Sequence, residues 1–117
     1  MVENSGIMAR IESLLNIFMH EDPSEIAEMN CRKLARLLNM DEKTLRARFD
    51  TRRFASPAAM IKQKKLRLAA VLMADDPDKS IEQIANQAGF QNRQYFSQQF
   101  KKQYGIPPSS FKKRLSH

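Results

Sequence analysis

The chain has few of the residues from which catalytic and metal sites are usually built. Its single cysteine, Cys31, excludes an intramolecular disulfide and any metal site made of several cysteines. Its two histidines, His20 and His117, belong to no recognisable Ser-His-Asp or Cys-His arrangement, and no glycine-rich phosphate loop is present. We therefore predict a protein that is not an enzyme and that uses no metal or other cofactor.

Long apolar runs and low-complexity segments are missing too. The sequence has no signal peptide and no stretch of about eighteen apolar residues, which predicts a soluble, cytoplasmic chain with no membrane partner. Only three glycines and five prolines occur, which argues against long flexible linkers. With 117 residues, 42% of them hydrophobic, the chain has enough apolar material for one compact domain or two very small lobes.

Basic residues, in contrast, are abundant and unevenly distributed. The formal net charge is +7 and the pI is about 9.9. Residues 1–30 hold one basic and six acidic residues, and residues 31–117 hold nineteen basic and seven acidic ones, giving net charges of −5 and +12. Such a surplus indicates a polyanionic partner, with the first thirty residues facing away from it. The alternative is that the lysines and arginines only solvate helix surfaces.

Apolar residues recur at helical spacing along most of the chain, and no strand pattern is evident. The fold class predicted is all-α, with seven helices. We expect them over 7–20, 31–38, 42–53, 57–74, 81–88 and 93–104, with a short last helix after Pro108. Residues that favour helix starts precede four of them, namely Asn30, Asp41, Ser80 (with Gln83 in a capping box) and Asn92.

Two pairs of these helices form an internal repeat at a spacing near 50 residues. The matching positions are Leu34, Ala35, Asn39 and Phe49 in the first copy, and Ile84, Ala85, Gly89 and Phe100 in the second. A short helix, a tight turn and an immediate second helix are the layout of a helix-turn-helix. The sequence thus predicts a first lobe over 1–54, a linker helix over 55–75 and a second lobe over 76–117.

The second helix of the second copy carries long polar side chains opposite its aromatics. If Tyr95, Phe96 and Phe100 face inward, helical geometry leaves an outer face of Arg93, Gln94, Ser97, Gln98 and Lys101. Arg pairs with guanine and Gln with adenine through two hydrogen bonds in the DNA major groove. We predict that Arg93, Gln94, Ser97 and Gln98 contact bases, the alternative being an ordinary solvated helix face.

The corresponding helix of the first copy has a less polar outer face. With Leu45 and Phe49 inward, the outward residues are Lys43, Thr44, Arg46 and Ala47, which we predict to contact bases. Arg46 is the best candidate for base recognition, whereas Lys43 and Thr44 fit either bases or phosphates. Asp50 would be repelled by phosphate, which predicts that it marks the edge of the DNA footprint.

A further set of basic and capping residues is predicted to contact phosphates. Its members are Arg32, Arg48, Arg53, Lys65, Ser80, Asn92, Lys101 and Lys102. Along the linker helix, Lys62, Lys64, Lys65 and Arg67 fit phosphate contacts and a solvated face equally well. Helix N-termini such as the one at Ser80 add backbone N–H groups that suit phosphate oxygens.

The second copy resembles the AraC/XylS family of bacterial transcription regulators. The matching residues are Ile81, Ile84-Ala85, Gly89-Phe90, Tyr95-Phe96, Phe100-Lys101, Gly105, Pro107-Pro108 and Arg114. The resemblance covers about residues 7–115 and is stronger in the C-terminal half. It implies seven helices in two helix-turn-helix lobes joined by a long helix, with both recognition helices in successive major-groove segments. In the first lobe, Asn39 stands where the family commonly has Gly, and Phe54 stands near another usual Gly.

The resemblance also implies partners. They are double-stranded promoter DNA and RNA polymerase, in the bacterial cytoplasm and at the nucleoid. Most members carry a ligand-binding or dimerisation domain for which 117 residues leave no room, which predicts either a fragment or a stand-alone DNA-binding member. Two other functions stay open: a non-specific architectural DNA-binding protein, and a fragment that mainly docks a protein partner through the acidic residues 1–30.

Overall fold

A computed structural model of the chain describes the backbone of residues 2–115 and the side chains of residues 6–115; Met1, Ser116 and His117 lie outside it. Within this range the chain is all-helical without strands, as predicted, but it has eight helices rather than seven. The helices are α1 (Val2–Glu21), α2 (Pro23–Ala27), α3 (Cys31–Leu37), α4 (Glu42–Arg48), α5 (Pro57–Asp75), α6 (Ile81–Gln87), α7 (Arg93–Tyr104) and α8 (Pro108–Leu115).

The additional helix is α2, in a segment where the sequence predicted only a break. Pro23 occupies its first turn, a position at which the missing N–H costs nothing and the fixed φ suits a helix. The hydroxyl of Ser24 donates a hydrogen bond to Oδ1 of Asp22 at 2.6 Å, and Ile26 is fully buried. The proline thus ends one helix and begins the next, and α2 packs against α1.

Within residues 2–115 the chain divides into two compact units, the first ending at Lys64 and the second beginning at Lys65, so that the boundary falls inside α5. The core of the first unit takes apolar side chains from each of its helices. Buried there are Ile7, Ile11, Leu15, Ile26, Leu34, Leu38, Leu45, Phe49, Met60 and Ile61. The predicted inward pair of α4, Leu45 and Phe49, is confirmed.

Lys64 is buried, contrary to the solvated or phosphate-binding role predicted for the lysines of the linker helix. It is 6% exposed, and its Nζ lies 3.4 Å from Oε1 of Glu12 in α1. The contact is an ion pair without hydrogen-bond geometry, since this oxygen accepts no hydrogen bond within the described residues. A buried ammonium needs an opposite charge nearby. Lys64 therefore belongs to the interior of the first unit.

Leu37 is also placed differently from the prediction. The apolar spacing of residues 31–38 predicts Leu34, Leu37 and Leu38 on the inner side of this helix, yet Leu37 is 43% exposed. Leu34 and Leu38 fill the apolar stripe of α3, and Leu37 lies at the edge of that stripe. There it lines a shallow surface groove with Leu14 and Ile17 of α1.

The core of the second unit is rich in aromatic rings. Its buried residues are Leu66, Leu68, Ala69, Met73, Ile81, Ile84, Ala85, Ala88, Phe90, Phe96 and Phe100. Most of the aliphatic members come from α5 and α6, whereas Phe96 and Phe100 come from α7. Helices α6 and α7 pack together as the second helix-turn-helix, and α8 packs against α7.

The turn between α3 and α4 is closed by two backbone hydrogen bonds. Met40 N–H donates to the carbonyl of Ala35 at 3.0 Å, and Asn39 N–H donates to that of Arg36 at 3.0 Å. This pair of bonds is the common way in which a residue in the left-handed conformation ends a helix. Asn39 has a φ of 59°, the left-handed conformation expected for an Asn in the position that Gly usually takes after a helix.

The turn after α6 repeats this pattern. Phe90 N–H donates to the Ala85 carbonyl at 2.9 Å, and Gly89 N–H donates to the Asn86 carbonyl at 3.1 Å. Gly89 is left-handed with a φ of 95°. The internal repeat predicted from the sequence is thus confirmed at the level of the backbone. The second copy has one extra residue between the left-handed residue and the N-cap of its second helix.

The helix α4 ends at Arg48, well before the predicted residue 53. Phe49 follows with extended backbone angles, φ −72° and ψ 136°. Beyond it, the N–H of Arg52 donates to Oδ1 of Asp50 at 3.0 Å. A side-chain acceptor of this kind offers the backbone a turn in place of the next helical turn, which explains the early end.

Asn39→Ala is expected to lower the free energy of unfolding of the first unit by about 1 kcal/mol, because a Cβ without a local hydrogen-bonding group is strained at positive φ. Asn39→Gly is expected to change it by less than about 0.5 kcal/mol, because Gly adopts this conformation freely but loses more chain entropy on folding. Urea unfolding followed by circular dichroism measures both. The control is Asn16→Ala in the interior of α1. Because Ala has a higher helix propensity than Asn, this substitution should raise the free energy of unfolding slightly.

Candidate nucleic-acid interface

The helix α7 exposes most of the polar side chains that were predicted to meet DNA. Exposed along it are Arg93, Gln94, Gln98, Lys101 and Lys102, and Ser97 is half-buried. The helix begins at Arg93 because the side chain of Asn92 caps it, with Oδ1 accepting the N–H of Tyr95 at 2.9 Å. It ends at Gly105, which has a φ of 83°. Glycine adopts this left-handed conformation without strain because it has no Cβ.

A chain of aromatic contacts fixes the orientation of this face. The ring centroids of Phe90 and Phe96 lie 5.1 Å apart, and those of Phe96 and Phe100 lie 5.7 Å apart. Phe100 also meets Tyr104 at 4.7 Å and Phe111 at 5.4 Å. Since Phe96 and Phe100 are fully buried, the opposite side of α7 must face solvent.

Tyr95 was predicted to be buried, but it is 46% exposed. Its ring centroid lies 6.3 Å from that of Phe90, so one side of the ring is supported while the rest faces outward. Helical geometry could have found this, because Tyr95 lies one turn from Gln98 and two turns from Lys102, on the same side of α7. Tyr95 therefore joins the exposed face that the sequence assigned only to polar residues.

The helix α4 presents a smaller face in the first unit. Lys43, Arg46 and Ala47 are exposed and Thr44 is half-buried. The guanidinium of Arg46 lies 3.8 Å from the carboxylate of Glu42; the Arg46 side chain is 58% exposed and that of Glu42 is 40% exposed. An exposed pair at this distance holds the arginine only weakly, so Arg46 is available to other acceptors.

The start of α4 is fixed by Asp41. Its Oδ1 accepts the N–H of Thr44 at 2.7 Å, as expected of an N-cap. This hydrogen bond from the Thr44 backbone holds the pKa of the Asp41 carboxyl below its usual range. The negative charge also suits the positive end of the helix dipole. The predicted caps at Asn30, Ser80 and Asn92 are likewise present.

Two arginines in the turn after α4 are held by their neighbours. Arg52 forms a bidentate ion pair with Asp50, in which Nη2 and Oδ2 are 2.6 Å apart. The guanidinium carbon of Arg53 lies 5.6 Å from the ring centroid of Phe54, within the range of a cation–π contact. Both arginines are exposed, which makes this turn a compact basic edge next to the α4 face.

The residues predicted to contact phosphates differ in accessibility. Arg32, Arg53, Lys101 and Lys102 are exposed, whereas Arg48 and Lys65 are half-buried. Burial lowers the pKa of the Lys65 ammonium. The Lys65 ammonium is therefore itself partly withdrawn from water.

The two capping residues in that set already use part of their hydrogen-bonding capacity. Ser80 accepts the N–H of Gln83 at 3.1 Å and donates its own N–H to Oε1 of Gln83 at 2.9 Å. Asn92 uses its side-chain oxygen for the N–H of Tyr95. The hydroxyl proton of Ser80 and the amide N–H groups of Asn92 remain as donors for a phosphate.

Other kinds of site are less developed. Among the described residues, no three His, Cys, Asp or Glu side chains lie together so as to hold a metal ion. No helix within residues 2–115 is long and apolar enough to cross a membrane. Cys31 is half-buried at the start of α3, and burial raises the pKa of its thiol. The polar faces of α4 and α7 are thus the main candidates for a binding surface.

Each unit contains a short helix, a left-handed turn and a second helix with an exposed basic or amide face, which defines the helix-turn-helix class. A family model described as a helix-turn-helix domain matches residues 34–114. The chain belongs to this AraC-type helix-turn-helix family of transcription regulators. The resemblance drawn from the second repeat is thereby confirmed.

Regulators of transcription are among the curated relatives of the chain. Over 86 residues the chain is 33% identical to the HTH-type transcriptional regulator MtrA of Neisseria gonorrhoeae, covering 74% of this chain and 28% of that protein. Over 100 residues it is 32% identical to the virulence regulon transcriptional activator VirF of Yersinia enterocolitica, covering 86% of this chain and 36% of VirF. The figures for the thermoregulatory protein LcrF of Yersinia pestis are the same. The chain thus spans roughly a third of the length of these relatives.

A solved structure shares the fold. It is the C-terminal domain of the two-component response regulator yesN from Fusobacterium nucleatum. The TM-score is 0.65 at 24% sequence identity, and the match covers 86% of this chain and 96% of that domain. At this identity the likeness concerns the fold of the chain alone.

Proposed function

We propose that the chain is the DNA-binding part of a sequence-specific transcription regulator, with α4 and α7 entering successive major-groove segments. The observation that carries the proposal is the polar face of α7, where Arg93, Gln94 and Gln98 are exposed while Phe96 and Phe100 are fully buried. Two recognition helices with different side chains imply an asymmetric site of about 20 bp.

The side chains of α7 have the chemistry for direct base recognition. Arg93 is suited to the O6 and N7 atoms of guanine, and Gln94 and Gln98 to the N6 and N7 atoms of adenine. A helix face that only had to be soluble would need no such long amides. Ser97 is half-buried and fits a shorter contact, and Tyr95 can pack against a thymine methyl group.

The face of α4 is proposed to make fewer specific contacts. Arg46 is the candidate for a guanine, because its pairing with Glu42 is loose. Ala47 offers a methyl group to a thymine. Lys43 and Thr44 lie at the N-terminal end of the helix and fit bases or phosphates. Most of the specificity is therefore assigned to the second unit.

Phosphate contacts are proposed for the basic and capping residues around both faces. They are Arg32, Arg48, Arg53, Lys65, Ser80, Asn92, Lys101 and Lys102. Contacts of this kind position the protein on the duplex and supply the salt-dependent part of the affinity. They carry no sequence information by themselves.

The wider role follows from the family and is likewise a proposal. Promoter DNA in the bacterial cytoplasm, at the nucleoid, is the proposed target, and RNA polymerase the proposed protein partner. No catalytic role is proposed, as the relatives are regulators. The full-length relatives leave room for a ligand-binding or dimerisation domain outside this segment. A main role in protein docking is the second candidate, favoured by the exposed Ile17 and Leu37 beside one groove.

Competition binding at fixed salt tests the proposed function. The chain is first used to select bound fragments from a random duplex library, and the selected fragment then competes with random duplex. We expect the selected fragment to bind roughly 10³-fold more tightly. Equal affinity for both duplexes would instead support the non-specific architectural role.

Lys65→Met is expected to weaken binding to all duplexes by the same factor, because a phosphate contact carries no sequence information. The magnitude of the slope of log affinity against log salt concentration should decrease by about 0.9, so that binding depends less on salt. Methionine keeps the apolar stem, so packing is retained. Lys33→Met is the matched control, since Lys33 is held by Glu25 at 2.7 Å and lies outside the predicted set. A changed base preference for Lys65→Met would contradict the assignment.

A further inference from the structure

The turn after α4 contains an arginine whose position is set by a carboxylate two residues earlier. Arg52 Nε donates to Oδ1 of Asp50 at 2.9 Å and to Oδ2 at 3.1 Å, and Nη2 donates to Oδ2 at 2.6 Å. The backbone N–H of Arg52 also donates to Oδ1. The same carboxylate therefore fixes both the backbone and the guanidinium of Arg52.

The exposures of the two side chains are very different. The Arg52 side chain is 84% exposed, whereas that of Asp50 is 17% exposed. The carboxylate is thus largely covered, and the guanidinium stands on the solvent side of the pair. Only Nε and one N–H of Nη2 are needed for the bidentate contact, so both N–H groups of Nη1 and the second of Nη2 remain for another acceptor.

The neighbouring arginine supports the idea of a prepared basic edge. Arg53 lies over the ring of Phe54 at 5.6 Å, so it too is held by an adjacent residue. Both arginines lie in the turn that follows α4, and α4 carries the candidate base-contacting residues of the first unit. A long side chain that is fixed before binding loses less entropy when it makes its contact.

We propose that Asp50 is a positioning residue for DNA binding. It holds the Arg52 guanidinium so that the remaining N–H groups of Arg52 meet a DNA phosphate at the edge of the major-groove segment that α4 enters. This rests on the proposed function. It predicts that Asp50 strengthens DNA binding, whereas repulsion between its carboxylate and the phosphates would weaken DNA binding. The pKa of the Asp50 carboxyl is held at about 2 by the hydrogen bonds from Arg52, in accord with a persistent pair.

The two views of Asp50 predict opposite signs for one substitution. Asp50→Asn removes a negative charge, so repulsion alone predicts tighter binding. It also keeps an oxygen for the Arg52 N–H, so the turn is retained while the charged bidentate pair is lost. We expect Asp50→Asn to weaken binding to a random-sequence duplex about threefold to tenfold. Arg52→Ala should weaken it similarly and lower the salt slope by about 0.9.

The experiment is fluorescence anisotropy of the wild type, Asp50→Asn, Arg52→Ala and the double variant with a random-sequence duplex over a range of salt. In the double variant, the loss of the Asp50 charge should cause no weakening beyond that of Arg52→Ala. Glu28→Gln, which removes an exposed acid elsewhere in the same unit, gives the effect of charge alone and should not weaken binding. Thermal unfolding of each variant checks that the fold is kept.

Three results would overturn the proposal. The first is tighter DNA binding by Asp50→Asn than by the wild type. The second is that Asp50→Asn weakens binding by the same factor in the wild-type and in the Arg52→Ala background. The third is that Arg52→Ala leaves the pKa of the Asp50 carboxyl, followed by NMR, unchanged. The last readout needs no DNA. Failure of the proposed function would look different, because the wild type itself would then show no preference for a selected duplex over a random one.

Discussion

Phe100→Ala is expected to lower the free energy of unfolding of the second unit by about 3–5 kcal/mol. Phe100 is fully buried and touches Phe96, Tyr104 and Phe111, with centroid distances of 4.7–5.7 Å. Its removal takes away apolar burial and leaves a cavity at the base of α7. Since small domains are only marginally stable, a large part of the unit should be unfolded at 25 °C.

Tyr95→Ala on the same helix is the matched control for this substitution. Tyr95 is also aromatic but is 46% exposed, so its loss should cost less than about 1 kcal/mol. Urea unfolding followed by circular dichroism compares the two variants. Similar losses for both would contradict the assignment of Phe100 to the interior and Tyr95 to the outer face.

The double substitution Arg93→Ala/Gln98→Ala is expected to abolish most of the sequence preference of the second unit while leaving its stability nearly unchanged. Each bidentate base contact is worth about 1–3 kcal/mol of discrimination. Both side chains are exposed, and neither supports the aromatic core. Affinity for the selected duplex should therefore fall toward that for random duplex, whose phosphate contacts are intact.

Gln103→Ala provides the control for this double variant. Gln103 is an exposed amide on the same helix but on a different side from Gln98. Its replacement should leave the ratio of selected to random affinity unchanged. A loss of the ratio in Gln103→Ala, or its retention in the double variant, would mean that another surface recognises the bases.

The helix ends of this chain were predictable because their signals are local. The caps at Asn30, Asp41, Ser80 and Asn92 each act on a backbone N–H three residues further on. The left-handed turns depend on one residue in each copy. A short motif contains all the atoms involved, so its residues suffice to predict it.

The early end of α4 and the extra helix α2 were missed for local reasons that compete with periodicity. Pro23 both ends one helix and suits the first turn of another. Asp50 draws the Arg52 backbone into a turn although residues 50–53 contain no Gly or Pro to mark the end of a helix. Periodicity alone does not weigh such side-chain acceptors against another helical turn.

The errors in the predicted burial of individual side chains have a different cause. Leu37 and Tyr95 lie at the edges of apolar stripes, where a small rotation of the helix decides which side is covered. Lys64 is buried because Glu12, far away in the sequence, lies beside it. Tertiary packing sets these outcomes, and a single sequence contains no separate signal for them.

For the candidate interface, the sequence predicted the exposed residues of α7 well. Arg93, Gln94 and Gln98 face solvent because the positions of Phe96 and Phe100 fix the opposite side of the helix. The Asp50–Arg52 pair could not be foreseen, since their spacing alone does not distinguish a clasped arginine from a free one. Contact of either face with DNA stays a prediction.

Selection of bound fragments from a random duplex library, followed by footprinting, tests the central claim most directly. It should be carried out with the wild type and with Arg93→Ala/Gln98→Ala. The wild type is expected to enrich one asymmetric site of about 20 bp with two conserved blocks, and the variant to lose only the block read by α7. A wild-type pool without an enriched site, or the same two blocks from both proteins, would contradict the account.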